Sequence, residues 1–153
     1  MLTKPLHGWT DFQLEGTSTH ALSFLDDIAY EWLDHAIHGL ETLSPFCVKG
    51  YLEPDRFLCT VSFCNCHIII EDDERDPLTE EDILSEYSHT SMIAFCKYLH
   101  QDISQYFEEW VSFADWRHNA EIDKRDELTL KLKKLEDLIA EKEYFWDENR
   151  CFL

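Results

Sequence analysis

A chain of 153 residues with 44% hydrophobic and 14% aromatic content can bury a core of its own, which excludes an intrinsically disordered chain. Four glycines and four prolines exclude collagen-like or low-complexity structure. The net charge of −19, from 13 basic and 32 acidic residues, argues against nucleic acid as a direct ligand, because phosphate binding needs clustered Lys and Arg.

The first residues read as an irregular lead-in. Residues 9–15 alternate polar and apolar side chains from Thr10 onward, which predicts a short strand ended by Gly16, with loop at 17–20. Ser23 and Asp26 stand three residues apart, the spacing of a capping box, and predict a helix start. From there Leu25, Ile28, Ala29, Trp32, Leu33, Ala36, Ile37 and Leu40 recur at helical spacing, opposite Asp27, Glu31, Asp34 and His38. Gly39 is expected near the end of this helix, and Pro45 keeps it from continuing far.

Residues 46–71 are the densest β-forming stretch. Phe46, Val48 and Leu52 alternate with Cys47, Lys49 and Glu53, and Phe57, Cys59, Val61 and Phe63 alternate with Leu58, Thr60 and Ser62. Glu53-Pro54-Asp55-Arg56 between them suits a type I turn, so a hairpin is expected. A turn at Asn65 then leads into a third strand, His67–Ile70. Thr79 and Asp82 resemble another capping box, predicting a short helix to about Tyr87.

A second major helix is expected from about Thr90, with an apolar stripe from Met92 through Phe95, Cys96, Leu99 and Ile103 to Val111. The last helix is expected from Ile122 to Trp146, with a heptad-like seam of Leu128, Leu132, Leu135 and Ile139. Trp32 and Trp110 lie on apolar helix faces and read as core, whereas Trp9, Trp116 and Trp146 lie near element ends. The order β-α-β-β-β-α-α implies an α+β fold: about four antiparallel strands, helices packed on one face, and a long C-terminal helix.

Charge divides the chain in two. Residues 1–116 carry 22 Asp and Glu against five Lys and Arg, a net of −17; residues 117–153 carry 10 against eight, a net of −2. The expectation is an acidic α+β body over 1–116 and a C-terminal amphipathic helix over 117–153, docked on the same domain or on a dimer partner. The N-terminal residues lack a basic segment followed by an apolar one, and no apolar run approaches the length of a membrane span. A soluble cytoplasmic protein with no membrane partner is expected.

Chemistry-bearing residues are scattered. Cys64, Cys66, Cys96 and His100 offer three thiolates and an imidazole, a donor set for tetrahedral zinc provided that strand and helix meet there. The spacing is not that of a zinc knuckle, and free buried thiols are the ordinary fate of cysteines in an intracellular chain. No HExxH, GxSxG or phosphate-binding glycine loop occurs, although Cys66 or Cys96 could serve as the nucleophile of a cysteine-dependent enzyme. The acidic run lacks the Asp-x-Asp-x-Asp-Gly order of a calcium loop.

That run carries the sharpest expectation. Glu71, Asp72, Asp73, Glu74, Asp76, Glu80, Glu81, Asp82 and Glu86 can present the charge density of a nucleic-acid backbone to a Lys/Arg groove. The ordinary alternative is a hydrated charged loop. Small size, acidity and absent catalytic motifs are also found among phage inhibitors of bacterial defence systems and toxin-immunity proteins, a likeness of type that rests on no aligned residue. The expected function is a non-enzymatic acidic inhibitor of a basic nucleic-acid-handling protein, anti-CRISPR-like or nuclease-immunity-like. A zinc-stabilised interaction module and a cysteine-dependent enzyme are the alternatives.

Overall fold

The computed structural model describes residues 1–72, 83–113 and 121–146, with the backbone alone at 121–123. β1 (Trp9–Phe12) and β2 (His20–Ser23) form an antiparallel pair in which Phe12 lies opposite His20. The expected first strand therefore stops at Phe12, and the expected 17–20 loop gives way at His20 to a second strand. The chain reverses through Gly16, at φ +79°, where the Thr17 hydroxyl accepts from the Leu14 amide. The Ser23 capping box does not form. Ser23 ends β2, and α1 (Ile28–Thr42) begins behind Asp27, whose side chain makes no capping hydrogen bond.

The apolar stripe of α1 is buried from Ile28 to Leu40, worth roughly 1.5–3 kcal/mol for each large side chain before entropy is subtracted. Leu25 lies outside the helix and is exposed. As expected, the helix ends soon after Gly39 and before Pro45, at Thr42. Leu43 takes the left-handed cap at φ 48°, and Gly39 instead admits the Phe46 ring against the helix backbone.

β3 (Phe46–Tyr51), β4 (Arg56–Val61) and β5 (Cys66–Glu71) form the expected meander, with strict alternation of buried and open positions. The first turn differs from type I: Glu53 (φ 51°) and a cis Pro54 occupy its centre, and the Leu52 amide donates to the Asp55 carbonyl at 2.8 Å. The fourth strand is β6 (Ile83–Ser88), paired with β5 over its whole length from Glu71–Ile83 to Cys66–Ser88. The sequence predicts helix there. Pairing along a preformed edge outweighs a local helix signal that covers few residues; residues 79–82 of that expectation lie outside the described residues.

α2 (Met92–Gln105) begins at a true cap, the Ser91 hydroxyl accepting from the Ala94 amide, and breaks at Tyr106 before α3 (Phe107–Val111). α4 (Glu121–Lys142) runs into a 3₁₀ turn at Glu143–Trp146. The α+β class, the four-stranded antiparallel sheet, the helices on one face and the long C-terminal helix are therefore all present.

The core lies under one face of the sheet. Phe12 packs edge-on to Trp32 (5.5 Å) and Phe57 (5.0 Å), and Trp32 stacks on Phe57 and Phe95. β2 crosses this inner face at one end, with Leu22 under Gly50 and His20 beside Phe57. α4 closes the far side by packing on α1 and α2, burying Leu128, Leu132, Leu135 and Leu138.

Candidate interaction surface

The basic residues of α4 are largely committed to the body of the protein. Lys124 faces Asp27, Lys131 pairs with Asp34, and Lys134 pairs with Glu41 at 2.5 Å, so the two helices run parallel with matched charges. Arg125 grips Glu108 of α3 through both guanidinium nitrogens. Hydrogen bonding to Arg125 holds the Glu108 carboxyl below the ordinary carboxylate range. Lys4 does the same for Glu109 across 2.9 Å. Each such pair is worth little in stability, but together they fix where acid is neutralised: on the helical side.

The loop end of the sheet differs. The β3–β4 turn and the connection from β5 to β6 leave the sheet at the same end, because Tyr51, Arg56, Glu71 and Ile83 form one cross-strand row. Glu53, Asp55, Glu71 and Asp72 gather there, against Arg56, which bridges Glu71 at 3.1 Å. Asp73, Glu74, Asp76, Glu80, Glu81 and Asp82 belong to the connection and lie outside the described residues.

Glu86 stands apart from the other candidates. Alternation along β6 puts it on the inner face, in the Val48–Cys59–Ile68 row, with 20% of its side chain exposed. The Ser18 hydroxyl donates to its carboxylate at 2.5 Å, the Ser18 amide at 3.2 Å, and His20 Nε2 lies 3.0 Å away. Burial pushes this carboxyl up, but the Ser18 and His20 contacts more than offset that and leave it below the ordinary value. Its role is to tie β2 to β6.

The zinc quartet is not assembled. Cys64 sits in the β4–β5 turn rather than beside Cys66 on a strand face, and among the described residues no three Cys, His, Asp or Glu side chains converge as a metal site. Cys66 donates to the Thr90 carbonyl at 3.3 Å, and Cys66 and Cys96 are fully buried. Cys59, buried on the inner face of β4, joins them: its bond to Cys66 and its burial push its thiol well up, and burial does the same to Cys96. Thiols held protonated and out of water are poor nucleophiles.

The outer face of the sheet carries no helix or strand among the described residues. His67 stacks on Tyr87 at 4.1 Å and meets Ser85 Oγ at 2.5 Å, beside Leu58, Ile69 and the exposed Ile83. The signal for this surface was in the alternation of β4 and β5.

Compared with known proteins, the chain matches no family model, is similar to no curated protein, and matches no solved structure.

Proposed function

We propose that this protein is a non-enzymatic acidic binder whose partner is a basic nucleic-acid-handling protein, and that it inhibits that partner by occupying its nucleic-acid groove. The observation that carries the reading is the partition of charge. Lys124, Lys131 and Lys134 of α4 are paired to α1, while Glu53, Asp55, Glu71 and Asp72 of this −19 chain lie at the loop end of the sheet beside Arg56. A concentrated field of one sign speeds encounter with a groove of the opposite sign and selects it over neutral surfaces. Inhibitors of CRISPR effectors and immunity proteins against nuclease toxins are the classes of activity that this chemistry fits.

The test combines capture with competition. Immobilised protein should retain a basic nucleic-acid-binding protein from cell lysate at low salt and release it at high salt. The retained protein should then lose its nucleic acid when this protein is added. Replacing Asp72, Asp73, Glu74 and Asp76 together with Asn or Gln should weaken capture and flatten its salt dependence. Retention and competition that are unchanged by these replacements remove the segment from the interface.

A further inference from the structure

The two edges of the four-stranded sheet are built differently. β3 is guarded: Pro45 precedes it, Lys49 stands at its middle, the Lys49 carbonyl accepts from the Trp32 indole at 2.8 Å, and β2 packs against it. β6 has no proline, lysine or bulge, and among the described residues it pairs with β5 alone. Its inward-pointing acid, Glu86, is occupied by Ser18 and His20. Ile83, Leu84 and Tyr87 are 41%, 46% and 68% exposed along it.

The ladder determines which amides face outward. The Ser62 amide donates to Asn65, so that pair is hydrogen-bonded, and alternation through β4, β5 and β6 turns Leu84, Glu86 and Ser88 toward β5. Ile83, Ser85 and Tyr87 then point their N–H and C=O groups away from the sheet. This is the hydrogen-bonding template that an added strand uses. Charge selects the occupant. A second copy brings another −19, whereas a Lys/Arg-bearing segment meets a chain of opposite net charge, with Glu71 and Asp72 one strand inward from Ile83.

We propose that the outer edge of β6 takes up an extended basic segment of the partner as a fifth strand. The inference rests on the reading of this protein as a binder of a basic partner, and it adds the mode: main-chain pairing, with the acidic end setting which segments are accepted.

The probe is a terminally blocked peptide of alternating lysine and valine, set beside its fully N-methylated counterpart, which keeps the charge and donates no N–H. Binding is read by fluorescence anisotropy at low salt and by hydrogen exchange of the Ile83, Ser85 and Tyr87 amides. The unmethylated peptide should bind at least about tenfold tighter and protect those amides. Ser85→Pro removes one outward N–H without touching the ladder to β5 and should erase that preference, whereas Ser85→Ala should keep it. Equal, salt-sensitive binding of both peptides overturns the strand-addition mode and leaves the basic-partner reading standing. If neither peptide binds, both fall. A concentration-dependent dimer that Ser85→Pro dissolves assigns the edge to a second copy and overturns the proposal.

Discussion

Replacing Glu86 with Gln keeps the shape of the side chain and removes its charge at the point where β2 is tied to β6. Two donors on Ser18 and the imidazole of His20 meet this carboxylate. Hydrogen bonds to a charged group contribute roughly 1.5–3 kcal/mol each when buried, and Ser18 is exposed while His20 is not, so the sum expected is about 2 kcal/mol. The Glu86 carboxyl is held below its ordinary value in the folded protein. Its contribution is therefore present above the unfolded-state value and is lost as pH falls through the folded one. Urea unfolding of both proteins from pH 7 down to about pH 3.5 tests this. E86Q should be less stable than the wild type by about 1–2 kcal/mol at pH 7, and the gap should close in acid as the wild-type carboxyl takes up its proton. A gap of equal size at both ends of the range, or none at pH 7, refutes the charged tie between the strands.

Further outcomes follow from the same packing. Gly39→Ala should gain up to about 1 kcal/mol of helix propensity. It would also set a methyl 2.3 Å from Phe46 Cδ1, on a ring held edge-on against Phe95 at 5.9 Å. Overpacking of this kind costs about 1–3 kcal/mol, so the variant should be destabilised in urea, and by much less when Phe46 is also shortened to Leu. A stabilised Gly39→Ala would show that the ring yields freely. In native protein a thiol reagent should label Cys47 quickly and leave Cys59, Cys66 and Cys96 unmodified until urea unfolds the chain, as read by mass spectrometry of peptides. Rapid native labelling of Cys96 would mean that α2 opens, and would revive the cysteine readings.

Periodicity alone was enough for the elements whose faces are buried by one neighbour. The stripe of α1, the alternation of β3, β4 and β5, and the leucines of α4 each repeat often enough that burial follows from spacing. The acidity and its division between body and tail were equally legible, because charge is additive along a chain. Three things needed the third dimension. β2 and β6 are short segments with no strand signal in the sequence: His20 reads as loop and residues 83–87 as part of a short helix, and pairing with β1 and β5 supplies hydrogen bonds these segments could not make alone. Cys64 and Cys66 parted because the turn expected at Asn65 spans residues 62–65, ending β4 at Val61 and leaving Cys64 in the turn while Cys66 starts β5. Where the acid lies in space depended on which carboxylates the lysines of α4 reached. Coulomb pairing acts on distance, and the distance from Lys131 to Asp34 is set by helix packing across 97 positions of sequence.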